Sequence, residues 1–272
     1  MIDFPNAKIN LGLNILGKRE DGYHELSTCF YPLPWKEVIE IIPSPGQHTS
    51  LNVTGIPVPG DPRENLCLKA FHLLKMDFDL PELDIALHKM IPPGSGLGGG
   101  SADGAFTLKM LSRMFNLFLD DHLLAWYAAR LGSDSPFFIY NKPLLATGRG
   151  EIFDEIKLDL SGKRIIVLYP GFAISTQEAF RSAKVSKPEI PLKEILENHP
   201  VGDWKQLLTN DFENTIFPTY PVLKDIKTRL YEAGSEYASL SGSGSSVFGL
   251  FENQKPEIPR LPDNCQVWIG TL

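Results

Sequence analysis

A glycine-rich run in the first half of the sequence is the clearest candidate for chemistry. Five glycines lie between Gly94 and Gly100, after a pattern that predicts a strand and before one that predicts a helix. Glycine lets backbone N–H groups turn towards a phosphate at short range, and a following helix adds the positive end of its dipole. A flexible linker is the alternative, but linkers are rarely held between a clear strand and a clear helix. The run therefore predicts an anion-binding loop.

Other phosphate-binding motifs fit this run less well. It satisfies G-x-G-x-x-G through Gly94, Gly96 and Gly99. A dinucleotide-binding fold, however, needs a parallel strand soon after the helix, and a second helix pattern follows here instead. The P-loop pattern G-x-x-x-x-G-K-[ST] does not occur in the sequence, and neither do the H-R-D and D-F-G signatures of protein kinases. The context thus argues against a dehydrogenase and excludes the other two classes.

Three polar residues outside the run could handle a proton or a phosphate. Lys8 and Asn10 alternate with apolar residues, so the pattern places both on one face of a strand. Asp134 stands in the sequence Ser-Asp-Ser-Pro. From the residues alone, Lys8 is best interpreted as a solvated surface lysine and Asp134 as a helix N-cap or turn former.

Periodicity predicts the elements that must position these residues. Strands are expected at residues 7–13, 37–42, 83–88, 164–169 and 266–270, and two short strands flank residues 241–246. Helices are expected after Ser101, at residues 121–131 with Asp120 or Asp121 as the N-cap, near residues 176–184, and in a long stretch ending at Gly234. Strands alternating with helices indicate an α+β sandwich, with a domain boundary around residues 148–162.

Composition limits the class of protein. A chain of 272 residues favours two domains, and a net charge of −7 argues against a broad basic surface for nucleic acid or anionic lipid. Cys29, Cys67 and Cys265 are too scattered for a disulfide framework or a CxxC metal site, and no residue is assigned as a metal ligand. Without a signal peptide or a run of about 18 apolar residues, we expect a cytoplasmic protein with no membrane span.

Five motifs occur in the same order as in a known family. They are residues 7–13 with residues 19–26, the glycine run, residues 131–138, residues 169–171 and residues 241–244. The glycine run resembles the P-x-x-x-G-L-G-S/G-S/G-S loop of the GHMP kinase superfamily. The N-terminal motifs narrow the resemblance to the 4-diphosphocytidyl-2-C-methyl-D-erythritol kinases within it. The match covers nearly the whole chain.

This resemblance implies a fold and an activity. The fold would be α+β, with a ribosomal-S5-like α/β domain at residues 1–152, a ferredoxin-like α/β sandwich at residues 153–272, and the active site between them. The activity would be ATP-dependent phosphorylation of the 2-hydroxyl of a CDP-linked methylerythritol, in the non-mevalonate (MEP) route to isoprenoid precursors. The cofactors would be ATP and Mg²⁺, and the partner would be this small-molecule substrate, with no nucleic acid and no membrane.

The resemblance also implies roles for individual residues. Asp134 would accept the proton of the attacking hydroxyl, and Lys8 would keep that carboxylate ionised and orient the hydroxyl. The ATP-binding residues, called the glycine loop below, would be Pro92, Pro93, Gly94, Ser95, Gly96, Leu97, Gly98, Gly99, Gly100, Ser101 and Ala102. The substrate-binding residues would be Asn10, Tyr23, His24, Lys89 and Phe180. The aromatic members of this set suit a flat cytidine ring, whereas the lysine could equally be the exposed side of a strand.

Two alternatives stay open at this point. A different GHMP kinase would act on mevalonate or homoserine, and the sequence Asp-Gly-Tyr-His at residues 21–24 argues against it. A non-catalytic nucleotide-binding relative would keep the loops without turnover, and the presence of both Lys8 and Asp134 argues against that.

Overall fold

The computed structural model describes residues 1–181, 183–252 and 264–272. The strands are β1 (Ile2–Asp3), β2 (Asn6–Lys18), β3 (His24–Lys36), β4 (Val38–Pro43), β5 (Ser50–Gly55), β6 (Leu83–Lys89), β7 (Leu144–Gly148), β8 (Ile152–Glu155), β9 (Arg164–Tyr169), β10 (Tyr237–Leu240), β11 (Val247–Phe251) and β12 (Gln266–Thr271). The helices are α1 (Leu66–Lys75), α2 (Gly99–Met114), α3 (Asp121–Ala129), α4 (Ser135–Tyr140), α5 (Thr176–Arg181), α6 (Leu192–Asn198), α7 (Trp204–Leu207), α8 (Glu213–Thr219) and α9 (Pro221–Glu232). The predicted α+β class is confirmed.

The chain forms two compact units, and neither is continuous in sequence. Unit 1 comprises Met1–Ala7, Trp35–Pro93 and Gly98–Lys142. Unit 2 comprises Lys8–Pro34, Gly94–Leu97 and Pro143–Leu272. The glycine loop therefore contributes residues to both units. A boundary between residues 152 and 153 stays a prediction about sequence domains.

Unit 1 contains one sheet and the helices that pack on it. The strand order is β1-β4-β6-β5, with β4 antiparallel and β5 parallel to β6. Along β6 the side chains of Leu83, Ile85 and Leu87 are buried, which is the alternation expected of a strand with one covered face. Helices α1, α3 and α4 pack against α2. Asp120 caps α3 by accepting a 2.8 Å hydrogen bond from Leu123 N, so the first of the two predicted caps is confirmed.

Unit 2 contains two sheets, with strand orders β2-β3-β7-β8 and β10-β11-β9-β12. Helix α9 packs against β10 and β11. One cluster of buried apolar side chains joins the start of the chain to its second half: Leu13, Ile15, Leu26, Ile166, Leu168, Ile174, Ala179, Phe212, Ile216, Leu223, Ile226, Leu230, Ala238, Leu240, Val247 and Phe251. The core of unit 2 therefore includes side chains from β2 and β3 that lie more than a hundred residues before its other members in sequence.

Most of the elements predicted from periodicity are present. The strand at Arg164–Tyr169 has the predicted limits, whereas β2 runs five residues past the predicted end. The helix predicted near residues 176–184 is described to Arg181, and residue 182 lies outside the described residues. Within the described part of the chain, no helix is both long enough and apolar enough to cross a membrane.

Candidate active site

Lys8 lies on β2 and is only 3% exposed. Its Nζ donates a 2.6 Å hydrogen bond to Asn10 Oδ1 and lies 4.8 Å from the centroid of the Phe30 ring. The interpretation as a solvated surface lysine is therefore wrong. A buried ammonium group needs oxygen or aromatic partners in place of water, and both kinds lie around this one. The prediction that Lys8 and Asn10 share a face is confirmed.

A chain of hydrogen bonds fixes the orientation of the Asn10 carboxamide. The hydroxyl of Thr28 donates to the Gly12 carbonyl at 2.5 Å, so its oxygen accepts from Asn10 Nδ2 at 3.0 Å. The amide nitrogen is thereby committed to Thr28, and the amide oxygen faces the ammonium of Lys8. Sequence reasoning missed Thr28, because it lies on β3 and no local pattern links it to Asn10.

The loop at residues 241–246, called the serine loop below, lies against the first part of the glycine loop within unit 2. Ser241 Oγ donates to Gly96 O at 2.9 Å, and Ser246 N donates to Ser95 O at 3.0 Å. Gly96 has φ +80°, and a Cβ there would lie 2.1 Å from Ser241 O. Glycine is required at this position because a side chain would force the two loops apart.

The serine loop also approaches β2. A Cβ at Gly242 would lie 3.1 Å from Asn10 Oδ1 and 3.7 Å from Lys8 Nζ. The backbone of β2 also contacts the glycine loop, since Lys8 N donates to Leu97 O at 2.9 Å. Unit 2 thus brings together a buried lysine, its amide partner and the backbone of two glycine-rich loops, an arrangement suited to binding phosphate oxygens.

The second part of the glycine loop begins α2 in unit 1. Gly98 is the N-cap, with φ +74°, and among the described residues no side chain forms a cap hydrogen bond to this helix. The first-turn amides are therefore not occupied by a capping side chain, as a helix that binds an anion requires. A Cβ at Gly99 would lie 2.8 Å from Glu37 Oε1, whereas one at Gly100 would meet, among the described residues, only Leu66 Cδ1, at 3.9 Å.

Lys89, at the end of β6, lies between two buried carboxylates. Its Nζ is 2.6 Å from Glu37 Oε1 and 2.7 Å from Asp103 Oδ2, and none of the three residues is more than 3% exposed. The interpretation of Lys89 as the exposed side of a strand is therefore wrong, while its predicted contact with substrate stays a prediction. Sequence reasoning missed both carboxylates, because their partner is 52 residues from Glu37 and 14 from Asp103.

Burial shifts the pKa of each member of this cluster. It raises the pKa of Glu37 to about 8, with the charge of Asp103 adding to the effect. It raises the pKa of Asp103 to about 6, against the opposing attraction of Lys89. For Lys89 burial lowers the pKa, but the two carboxylates outweigh it and the net direction is upward. Burial thus favours the neutral form of both carboxyl groups, while the lysine between them favours their charged form.

Asp134 precedes α4 in unit 1 and is partly buried. It occupies the N-cap position with φ −82° and ψ −16°, but within the described residues its side chain forms no cap hydrogen bond to the helix. The N-cap interpretation is therefore correct for its position in the chain and wrong for its side chain. Lys8, its predicted partner, belongs to unit 2.

Two of the three aromatic residues predicted to bind the cytidine ring lie together in unit 2. His24 and Phe180 are stacked, with ring centroids 5.0 Å apart and an interplanar angle of 15°. Tyr23 is 56% exposed, and the Arg149 guanidinium lies over its ring at 4.7 Å. Sequence reasoning missed Arg149, which lies more than a hundred residues from Tyr23 along the chain.

Comparison with known proteins shows similarity along nearly the whole chain. Residues 65–142 match the family described as "GHMP kinases N terminal domain", and residues 192–259 match "GHMP kinases C terminal". A 4-diphosphocytidyl-2-C-methyl-D-erythritol kinase from Bacteroides fragilis is 51% identical over 94% of this chain and 93% of its own. One of the same name from Parabacteroides distasonis is 46% identical over 100% of both chains. The crystal structure of a 4-(cytidine 5'-diphospho)-2C-methyl-D-erythritol kinase is similar with a TM-score of 0.79 and 33% identity, over 92% of this chain and 90% of that one.

Proposed function

The chain belongs to the 4-diphosphocytidyl-2-C-methyl-D-erythritol kinase family of GHMP kinases, and on this premise we propose its reaction. It transfers the γ-phosphate of ATP to the 2-hydroxyl of 4-diphosphocytidyl-2-C-methyl-D-erythritol, a step of the non-mevalonate (MEP) route to isoprenoid precursors. The observation that carries the proposal is the similarity over the full chain to relatives of that name. The alternatives, a mevalonate or homoserine kinase and a non-catalytic relative, are not favoured.

Proton transfer is assigned to Asp134. The acceptor is a tertiary alcohol, which is a crowded and weak nucleophile, so a carboxylate that accepts its proton as the new bond forms would lower the barrier. A carboxylate used for capping would be committed to backbone amides, and Asp134 forms no such cap hydrogen bond within the described residues. From the family resemblance alone, Lys8 is assigned the role of favouring the ionised form of this base.

Phosphate binding is assigned to the glycine loop. Positive φ at Gly96 and Gly98 and the uncapped start of α2 both favour an anion at this backbone. Mg²⁺ would be bound mainly through the nucleotide phosphates and water, as is usual for this ion. It would neutralise charge on the β- and γ-phosphates.

Recognition of the cytidine ring is assigned to Tyr23, His24 and Phe180. The stacked pair of His24 and Phe180 offers a flat apolar surface and a ring nitrogen for a hydrogen bond. Tyr23 is held by the guanidinium of Arg149 rather than by the core. It therefore has the exposed face that a second stacking contact would need.

A coupled assay of ADP release tests the proposed function. The wild-type protein is incubated with ATP and Mg²⁺ and, in separate reactions, with the cytidyl alcohol, mevalonate or homoserine. We expect turnover with the cytidyl alcohol and its loss when Mg²⁺ is removed by a chelator. Equal or faster turnover of mevalonate or homoserine would refute the proposed substrate. If no ADP is released with any of the three alcohols, the protein is not a kinase for any of them.

A further inference from the structure

Asn210 lies beside the serine loop, and its side chain makes three hydrogen bonds in the interior of unit 2. Its Nδ2 donates to Leu240 O and Gly242 O, each at 2.9 Å, and its Oδ1 accepts from Phe212 N at 3.0 Å. Asn210 is 2% exposed, so solvent does not replace these partners when one is lost. The residue type matters, because a carboxamide has two donors and an acceptor, whereas an aspartate would turn an oxygen towards both carbonyls.

The backbone around Asn210 is anchored to β2. Leu13 N donates to Thr209 O, and Asp211 N donates to Leu13 O, both at 2.8 Å. The side chain of Asp211 adds a third anchor, since its Oδ2 accepts from Ile15 N at 2.7 Å. Asn210 therefore has a fixed base on the strand that carries the candidate catalytic lysine, and its side chain reaches from that base to the serine loop.

The two donated hydrogen bonds hold the part of the serine loop that meets the candidate site. Gly242, whose carbonyl Asn210 holds, has φ +58°. A Cβ there would already lie 3.1 Å from Asn10 Oδ1 and 3.7 Å from Lys8 Nζ. There is thus little space between the loop backbone and this pair, and a small shift of the loop would change the contacts of both side chains.

We propose that Asn210 is a positioning residue for the phosphoryl transfer. It holds the serine loop at the separation from Lys8 and Asn10 that the reaction needs, and it acts through the loop without touching the reacting groups. The kinetic part of this inference rests on the proposed function, whereas the dependence of the loop on Asn210 does not.

The kinetic test compares Asn210→Ala with a matched control. Tyr231→Phe removes a hydrogen bond of 3.2 Å to Ala238 O, a backbone carbonyl on β10, the strand that leads into the serine loop. We expect kcat of Asn210→Ala at saturating substrates to fall at least about tenfold, because a misplacement of about 1 Å can cost about a hundredfold. Tyr231→Phe should keep the wild-type kcat while losing some thermal stability. Asn210→Ser, which keeps a polar side chain but cannot reach both carbonyls, should resemble Asn210→Ala.

Hydrogen exchange gives a second measurement that needs no substrate. Within the serine loop, Ser241 N donates to Ser246 O and Gly244 N donates to Ser241 O, both at 2.9 Å. These amides should exchange faster in Asn210→Ala than in the wild type and at the wild-type rate in Tyr231→Phe. If Asn210 only stabilised the fold, exchange of these amides would become faster in both variants, in proportion to how far each variant's melting temperature falls.

Each outcome decides the proposal. Wild-type kcat in a folded Asn210→Ala protein, or unchanged exchange of the loop amides, would overturn it. If neither Asn210 variant folds while Tyr231→Phe does, Asn210 belongs to folding rather than positioning, and the proposal is also overturned. If the wild-type protein turns over none of the alcohols, the proposed function fails, and the exchange comparison alone decides whether Asn210 holds the loop.

Discussion

A lysine can stay charged inside a protein only where other groups replace its water. Lys8 and Lys89 meet this requirement in different ways, the first with an amide oxygen and an aromatic ring, the second with two carboxylates. The positions of Lys8 and Lys89 on strands can be predicted from the sequence, but the burial of their side chains cannot. It depends on partners such as Thr28 and Glu37 that lie far away along the chain. This is why the candidate residues could be predicted and their surroundings could not.

Asp134→Asn should lower kcat by about 10²–10⁴-fold, the usual contribution of general-base catalysis, with the KM for the alcohol changed far less. Carboxylate and carboxamide are close in size, so the protein should keep its shape. Capping should contribute no loss of thermal stability, because Asp134 forms no cap hydrogen bond to α4 within the described residues and asparagine caps as well as aspartate. Steady-state kinetics measure the expected loss of kcat, and thermal melting measures the stability of the variant.

A second variant, Lys8→Met, tests whether Lys8 and Asp134 act on the same step. Lys8→Met should also lower kcat, and the double variant should lose much less than the product of the two single losses, because the proposed mechanism assigns both residues to one proton transfer. A folded Asp134→Asn protein that keeps more than about a third of the wild-type kcat would contradict the catalytic role.

At the level of elements, β6 and β9 were predicted to within one residue, whereas β3 was missed. The pattern along β6 fixed its limits to within one residue. Strand β3 carries Pro32 and Pro34, which are unusual inside strands and hide its pattern. The order of the strands in each sheet could not be predicted either, because β3 pairs with β7, Phe30 opposite Leu144, across more than a hundred residues.

Gly100→Ala should raise stability and weaken ATP binding at the same time. Within the described part of the chain, a Cβ at Gly100 would meet only Leu66 Cδ1, at 3.9 Å, so there is room for it. Alanine in place of glycine in a helix contributes up to about 1 kcal/mol. If the first turn of α2 receives phosphate, the same methyl group should block its approach and weaken ATP about tenfold. Calorimetry and thermal melting measure the two effects. Gly202→Ala, with no atom of the described residues within 4 Å of the added Cβ, is the control for glycine replacement. Unchanged ATP affinity in Gly100→Ala would argue against a phosphate site at this turn.

The buried charge cluster of unit 1 should make stability fall as the pH rises. The folded-state pKa of Glu37, about 8, lies above its ordinary value of 4.5, so its contribution is complete below about pH 4.5 and is lost as the pH rises through about 8. Asp103, with a pKa of about 6, changes stability in the same direction at lower pH, while the raised pKa of Lys89 acts only in the alkaline range. The slope for one whole proton is at most about 1.4 kcal/mol per pH unit.

Thermal melting between pH 6 and pH 9 measures this dependence. Glu37→Gln cannot titrate, so its melting temperature should change less with pH than that of the wild type. Glu64→Gln, which alters an exposed carboxylate paired with Lys69 on the surface, should keep the wild-type slope. Parallel slopes for Glu37→Gln and the wild type would show that Glu37 does not hold a proton in the folded state at neutral pH.

At the scale of the whole molecule, the compact units do not follow the order of the sequence. Unit 2 takes residues 8–34 from the start of the chain and residues 94–97 from the glycine loop. Composition and length favoured two domains, and the chain does form two units. Their membership could not be predicted, since a break in sequence composition marks a linker, whereas these units exchange segments through strand pairing and core contacts.

The core of unit 2 predicts how fragments of the chain will behave. A fragment of residues 153–272 lacks Leu13, Ile15 and Leu26, which belong to the same buried cluster as Phe212 and Ile216. Each missing side chain removes about 1.5–3 kcal/mol of apolar burial, a large share of the stability of a small domain. We therefore expect this fragment to give no cooperative thermal transition by circular dichroism.

A rejoined chain supplies the matched control for that experiment. Because Phe30 lies opposite Leu144 in the antiparallel pairing of β3 and β7, residue 31 can be linked to residue 143 by a short glycine-containing turn, giving one chain of residues 8–31 and 143–272. This chain restores most of β2 and β3, all of β7 and the missing core side chains, so it should melt cooperatively where the shorter fragment does not. Cooperative melting of residues 153–272 alone, with a near-ultraviolet spectrum of packed aromatic residues, would instead support an independent folding boundary between residues 152 and 153. It would also mean that the contacts of Leu13, Ile15 and Leu26 add to a core that is already complete without them.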